Sequence, residues 1–278
     1  MSASSSAQGF RVIGVIPARL ASTRLPRKVL REIAGKPMVA WVYEAASQAR
    51  IFDQLIVATD SEEVAEVCRV NGWQVRLTSP ELASGTDRVH AVAQQLAAEN
   101  VDEVSADNDI FVNIQGDEPL LRPEHFHALL RPFARKEVEV STVMTRCPAD
   151  GIADPNTVKV VVDRAGKALY FSRATIPCDR DGRNRDGQNR DVRGDVAYWK
   201  HLGLYAYQKH ILDRFPALPP SQLEAAERLE QLRLLESGIA IYVEPVEFDT
   251  VGVDTEEDLV AAESLLTQRN GKVGKARQ

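Results

Sequence analysis

Short apolar runs rich in β-branched residues alternate with segments of helical spacing through residues 12–114. Residues 12–16 form such a run, ended by Pro17; it is too short for a helix and predicts a buried strand. Pro37 suits a first helical turn, and Met38, Trp41, Val42 and Ala45 carry helical spacing after it. Residues 54–58 predict a second strand. A helix over 62–71, capped by Ser61 and ended by Gly72, and a strand over 75–78 follow. A helix over 86–99 and a strand over 109–114 complete the series. Strands alternating with helices imply a mainly parallel sheet covered on both faces, joined by right-handed crossovers. The fold class is α/β: a Rossmann-like mixed, mainly parallel sheet with helices on both faces. Such sheets bind ligands beyond the carboxyl ends of their strands, here the residues after Ile16, Ala58, Thr78 and Ile114.

The second half is less regular. Residues 138–145, 157–162, 168–172, 201–207 and 243–246 predict strands, with a turn at 163–166. Residues 223–236 predict one long helix, on the spacing of Leu223, Leu229, Leu232 and Leu235. A last helix is expected over 255–265, with Thr255 and Asp258 as its N-cap pair. Residues 180–195 are strongly polar and have no apolar face, the composition of a mobile loop or lid. Residues 1–10 and 269–278 are expected as tails around one domain over 11–268.

Composition narrows the function. A chain of 278 residues, 44% of them hydrophobic, can bury one large core. A net charge of −6 argues against non-specific binding to nucleic acid or to an anionic membrane. Cys68, Cys147 and Cys178 form no CxxC pair, so neither a disulfide framework nor a zinc site is indicated. The opening residues MSASSSAQGF lack the apolar core of a signal peptide. No apolar run approaches the roughly 20 residues of a membrane span. A soluble, cytoplasmic protein is expected.

Residues 17–28 carry the strongest chemical signal. Arg19, Arg24, Arg27 and Lys28 crowd one loop at the carboxyl end of the first strand, with Ser22 and Thr23 adding hydroxyls. A triphosphate needs several cations and N–H donors around it. Neither a GxxxxGK[ST] loop nor a GxGxxG turn is present. Later in the chain, Asp117 follows an apolar strand through Gln115 and Gly116, and Asp254 stands between the late strand and the last helix. Two such aspartates can hold Mg²⁺ together with phosphate oxygens and waters; a turn aspartate and a helix cap are the plainer readings. Ser84, Gly85 and Thr86 are small enough for a base to approach closely.

The order PARxxSxRLPxK followed by GKPM resembles the signature loop of the nucleotide-sugar pyrophosphorylases, and most closely that of the 3-deoxy-manno-octulosonate (Kdo) cytidylyltransferases. Ala58-Thr-Asp60, Ser84-Gly-Thr86, the VNIQGDEP run at 112–119, YFSRATIP at 170–177, HLGLY at 201–205, LEQLR at 229–233 and GVDT at 252–255 extend that resemblance over nearly the whole chain. It implies a nucleotide-diphospho-sugar transferase-like fold with a small sugar-binding and dimerisation lobe. Residues 11–130 would be the nucleotide-binding half and 131–268 the sugar-binding half. It implies Asp117, Arg19 and Lys28 as catalytic residues, and Mg²⁺ on Asp117 and Asp254. Pro17, Ala18, Arg19, Arg24, Lys28, Ala58, Ser84, Gly85 and Thr86 would bind CTP. Gln115, Arg173, His201, Tyr205, Glu230 and Gln231 would bind an acid sugar. A homodimer serving lipopolysaccharide assembly, with no nucleic-acid or membrane partner, is the remaining implication.

The chain departs from the family pattern at three places. Arg27 stands where a glycine is usual, Cys178 where an aromatic is common, and residues 180–195 are long and charged. These departures bear on the sugar, with 8-amino-Kdo or a sialic acid as alternatives. A glycosyltransferase would need a DxD-type acid pair, which Gln115-Gly-Asp117 is not. A silent nucleotide-binding regulator should have lost Asp117, Asp254 or Lys28, and all three are present.

Overall fold

The computed structural model describes residues 10–22, 24–99, 107–180 and 196–275, with side chains described as far as residue 269. The first half contains β1 (Val12–Pro17), β2 (Glu32–Ile33), β3 (Lys36–Pro37), α1 (Met38–Ala49), β4 (Gln54–Thr59), α2 (Glu62–Val70), β5 (Gln74–Leu77), α3 (Gly85–Glu99), β6 (Ile110–Asn113) and α4 (Pro123–Leu130). The second half contains β7 (Val140–Arg146), β8 (Lys159–Val162), β9 (Ala168–Ser172), β10 (Trp199–Gln208), α5 (Lys209–Arg214), α6 (Gln222–Glu227), α7 (Leu232–Glu236), β11 (Ile241–Pro245) and α8 (Glu256–Lys275).

Seven strands run in the order β11-β7-β10-β6-β1-β4-β5 across one sheet, and the β8–β9 hairpin joins it through β10. β1 is parallel to β4 and β6, and β4 to β5. β10 is antiparallel to β6 and β7, and β11 runs parallel to β7. The apolar runs are continuous because both faces are covered. Val12 and Ile16 pack with Val57, Val112 and helix α1 on one face. Ile13 and Val15 pack with Ile56, Phe111 and helix α3 on the other. Pro17 pairs with Ala58, and Val15 with Asn113. The parallel strands therefore end nearly level, and their following loops meet at one rim.

A third cluster joins Leu25 and Ile33 from the loop after β1 to Leu120, Val253, Leu259 and Leu266. It seats α8 against the basic loop and so joins the first loop to the last helix.

Three features differ from the sequence reading. The long helix expected over 223–236 is two short helices, α6 and α7, because Arg228 takes a left-handed conformation at φ 55°. Helix α8 continues to Lys275, through residues expected as a tail; Leu266 is the last of its described side chains in the core cluster. Helices α4 and α5 and the β2–β3 hairpin had no counterpart in the reading. Residues 1–9, 181–195 and 276–278, where tails and a lid were expected, lie outside the described residues.

Candidate active site

A cavity of about 380 Å³ opens at the rim where β1 and β6 end. The loop after β1 contributes Arg19, Arg24 and Lys28, the turn after β6 contributes Gln115 and Asp117, and the segment before α8 contributes Asp254. Lys28 Nζ lies 2.5 Å from Asp117 Oδ2 and 2.9 Å from Asp254 Oδ1. Arg24 Nη2 lies 2.9 Å from Asp254 Oδ2. Burial pulls the Lys28 pKa down, but the charge and hydrogen bond of Asp117, then those of Asp254, outweigh it; the pKa ends above its ordinary value. Lys28 is therefore a full positive charge held between two carboxylates.

The backbone fixes this geometry. Val253 N–H donates to the Asp117 carbonyl at 2.9 Å, tying the two aspartate segments together. Asp258 Oδ2 accepts from the N–H groups of Asp254 at 3.0 Å and Thr255 at 2.9 Å, and Thr255 Oγ1 accepts from Asp258 N–H at 3.2 Å. This is the reciprocal cap expected from the sequence. Gly116 has a role beyond turning the chain. A Cβ there would sit 2.6 Å from the Pro17 carbonyl oxygen, so the Gln115–Asp117 turn presses directly on the end of β1.

Asp117 and Asp254 are oxygen donors facing one nitrogen, and their side chains are 30% and 43% exposed, open to water. Mg²⁺ takes one or two carboxylates and completes its shell with waters and substrate phosphates, so the pair fits that ion. No group of three or more His, Cys, Asp or Glu among the described residues forms a metal cage.

A second cavity, of about 300 Å³, shares Gly85 and Gln115 with the first. Thr86, His201, Tyr205, Glu230 and Gln231 line it. The break at Arg228 is what presents Glu230 and Gln231 from the turn between α6 and α7. His201 Nε2 lies 3.0 Å from Thr142 Oγ1, which also lies 2.8 Å from the Leu204 carbonyl and 3.2 Å from that of Leu202. Carbonyls only accept, so the single hydroxyl proton of Thr142 goes to one of them and His201 Nε2–H is the donor. That leaves Nδ1 as an acceptor. Burial lowers the His201 pKa to about 3, so the ring is neutral. Burial, the larger influence, raises the Glu230 pKa against the hydroxyl bonds of Thr86 and Ser84. The Tyr205 hydroxyl, Gln231 Nε2 and Asn113 Oδ1 are buried without hydrogen-bond partners among the described residues. Buried polar atoms are normally paired, and all three residues line the second cavity.

The other predicted residues fall nearby. Ala18 and Ala58 are fully buried, and Ala18 N–H donates to the Ala58 carbonyl at 2.8 Å, so they floor the rim rather than line either cavity. Ser84 caps α3, its Oγ accepting from Asp87 N–H at 3.1 Å, and it lies 3.5 Å from Glu230 Oε1. Pro17 lines the first cavity. Arg173 lines neither: Nε donates to the Glu227 carbonyl at 2.7 Å, Nη1 to Pro155 at 3.0 Å and Nη2 to Arg228 at 3.4 Å. Asp60 braces the basic loop, accepting from Leu20 N–H and from the fully buried Arg88, each at 3.3 Å. Glu118, buried beside Asp117, has its pKa raised to about 7 by burial and then by that neighbouring charge. Asn113, Asn156, Lys200, Gly203 and Tyr207 line the second cavity and were missed. Counting by twos along β10 from His201 would have found Gly203 and Tyr207.

Residues 13–241 match the cytidylyltransferase family. The chain belongs to that family. It is 57% identical over 260 residues to the 3-deoxy-manno-octulosonate cytidylyltransferase of Acidobacterium capsulatum, covering 94% of this chain and 98% of that one. It is 54% identical over 260 residues to the enzyme of the same name from Koribacter versatilis, covering 94% and 92%. A solved CMP:2-keto-3-deoxy-manno-octonic acid synthetase complexed with CTP superposes with a TM-score of 0.82 at 38% identity, covering 93% of this chain and 99% of that chain. In this cytidylyltransferase, Lys28 and Asp254 stand 226 residues apart in the chain and meet in one cavity. No helix among the described residues is long and apolar enough to cross a membrane.

Proposed function

We infer that this protein is a nucleotidyltransferase that transfers CMP from CTP to Kdo and releases pyrophosphate. The observation that carries the reading is the pair of adjoining cavities. One is lined by cations and carboxylates, the other mostly by uncharged polar and aromatic groups with Lys200 and Glu230 among them, and they meet at Gly85 and Gln115. Relatives more than half identical over nearly the whole chain carry the Kdo cytidylyltransferase name.

Arg19, Arg24 and Lys28 hold the triphosphate and offset the charge of the leaving pyrophosphate. Pro17, Gly85 and Thr86 form the nucleoside end, with Ala18 and Ala58 packed beneath them and Ser84 capping α3. Gln115, His201, Tyr205, Glu230 and Gln231 receive the sugar, with Arg173 bracing the wall behind them. The anomeric hydroxyl attacks the α-phosphorus in line; a new P–O bond forms, the α–β anhydride bond breaks, and Asp117 takes the hydroxyl proton. Asp117 and Asp254 would hold Mg²⁺, which would supply neutralisation of phosphate charge. We place the enzyme in the cytoplasm as a homodimer, supplying CMP-Kdo for lipopolysaccharide; its resemblance to the family supports this.

The test is pyrophosphate release from CTP with Kdo, 8-amino-Kdo or N-acetylneuraminate, with and without Mg²⁺, and with Asp117→Ala as control. Release with Kdo is expected, lost on chelation and reduced at least about 100-fold in the variant. Release only with another sugar replaces the acceptor. CTP binding without release from any sugar rejects the transferase reading.

A further inference from the structure

Asp117 and Asp254 stand on separate segments, so their separation depends on how those segments are clasped. One segment runs from Asp117 to Arg122, at the start of α4; the other is a strap from the end of β11 to Asp254. At its two ends the strap is held by backbone. Val246 N–H donates to the Met144 carbonyl at 2.8 Å, and Val253 N–H to the Asp117 carbonyl at 2.9 Å. Between those points, no backbone–backbone hydrogen bond among the described residues holds it. Side chains from two other segments bond its carbonyls instead: Lys200 Nζ lies 3.0 Å from that of Thr250, and His125 Nε2 lies 2.9 Å from that of Phe248.

His125 is fully buried in the first turn of α4 and lines neither cavity. Its Nδ1 lies 3.0 Å from the Arg122 backbone nitrogen. A backbone N–H only donates and a carbonyl only accepts, so Nδ1 accepts from Arg122 and Nε2–H donates to Phe248. One tautomer satisfies both bonds, and only in the neutral ring. Burial, the largest influence, lowers the His125 pKa despite the bond to the Phe248 carbonyl, which keeps the ring neutral. The Arg122 guanidinium carbon lies 3.9 Å from the centroid of the Phe248 ring, so the two residues that the imidazole bonds also cover one another. Leu120 and Val253, further along the two segments, share one apolar cluster.

We propose that His125 is a positioning residue for the aspartate pair: by clasping the Phe248 carbonyl to the start of α4, it sets where Asp254 stands relative to Asp117. This rests on the transferase reading above, with those aspartates as metal ligands. The imidazole acts through the strap and touches no reacting atom. A strap released at Phe248 leaves Asp254 held from one side only, so the loss falls on metal binding.

Asparagine and glutamine separate the two bonds. The amide oxygen of asparagine takes the place of Nδ1 and can accept from Arg122 N–H, but that side chain is too short to reach Phe248. The amide nitrogen of glutamine takes the place of Nε2 and can donate to the Phe248 carbonyl. The full chain and both variants are compared in two ways: water-proton relaxation as protein is titrated into Mn²⁺·CTP, and the Mg²⁺ dependence of pyrophosphate release. His125→Asn should weaken Mn²⁺·CTP binding and raise the Mg²⁺ constant by about tenfold, the scale of losing an outer partner of a metal site. CTP without metal should bind all three proteins alike, and KM for Kdo should change less than about threefold. His125→Gln should stay within about twofold of wild type throughout. A folded His125→Asn with wild-type metal affinity overturns the proposal. A His125→Gln as weak as His125→Asn also overturns it, since the bond to Phe248 then carries nothing. Should His125→Asn not fold, nitrogen NMR of wild type decides on the clasp: the neutral Nε2–H tautomer is expected, and the Nδ1–H tautomer overturns it. Absence of relaxation enhancement with Mn²⁺·CTP, or of pyrophosphate release with Kdo, from wild type is a different result: it removes the reading of the aspartates or of the transferase itself, and this inference with it.

Discussion

Arg27 and His201 show how single residues carry more than their side-chain chemistry. Arg27 has φ 57° and ψ 32°, in the left-handed region. That conformation costs a residue with a Cβ about 1–2 kcal/mol and favours glycine. The guanidinium pairs with Glu63, but both side chains are largely exposed, at 61% and 46%, and such a pair contributes about 0–1 kcal/mol. Arg27→Gly should therefore change urea-unfolding stability by between a loss of about 1 kcal/mol and a gain of about 1.5 kcal/mol, once the lost pair and glycine's own entropy of about 0.5–1 kcal/mol are subtracted. Arg27→Val should lower it by more than ~1 kcal/mol; the reverse ranking would contradict the backbone argument. His201 has its pKa lowered to about 3 by burial, against about 6.5 for a free imidazole. Unfolding releases a ring that binds a proton more readily, so this group's contribution to stability is full above about pH 6.5 and declines as pH falls towards 3. Nitrogen NMR should show the His201 ring neutral from pH 8 to 5. In His201→Gln, which keeps a donor for Thr142, the acid-side loss of stability should be shallower than in wild type.

At the scale of elements, the break between α6 and α7 determines most of the acceptor wall. Glu227 ends α6, and its carboxylate accepts from Ser172 Oγ at 2.6 Å and from Arg173 N–H at 2.9 Å. Those bonds hold the helix end against β9. The chain then reverses through Arg228, so Leu229, Glu230 and Gln231 reach the cavity instead of following a helix past it. Glu227→Ala removes two hydrogen bonds to a charged acceptor, each contributing about 1.5–3 kcal/mol. Denaturant titration should show a loss of about 3 kcal/mol or more. Kinetics should show a higher KM for the sugar with little change for CTP. A matching rise in both constants would mean that the anchor supports the whole rim and not the acceptor wall alone.

Across the whole molecule, two cores sandwich the sheet and a third seals the basic loop to α8. Cys68 belongs to the first of these, fully buried, with its pKa raised to about 11 chiefly by that burial. Cys178 is exposed. A thiol reagent at pH 8 should thus label Cys178 at once and reach Cys68 only on unfolding. The rate at Cys68 should slow when CTP and Mg²⁺ are added, because a ligand that binds only the folded state stabilises it. Fast native-state labelling at Cys68 would show that the face carrying α1 and α2 opens separately from the rest.

Periodicity and motif order made the alternating half of the chain legible. Both faces of a parallel sheet are buried, so strands such as Val12–Pro17 and Ile110–Asn113 are apolar throughout and bounded by recognisable breakers. The basic loop, the aspartates and the Thr255–Asp258 cap were legible for the same reason, since local spacing and residue type carry their meaning. The break at Arg228 had no glycine or proline to announce it; contacts with β9, over 50 residues earlier in the chain, impose it. Arg173 is a cation in a resembling stretch, and only three-dimensional packing commits it to backbone carbonyls outside either cavity. Likewise Lys28 meets Asp117 and Asp254 only because a strand end, a tight turn and a distant helix converge on one rim. The sequence by itself determined which elements form and what chemistry they carry; the tertiary structure decided which charges face one another, because that depends on distances between segments that no local pattern encodes.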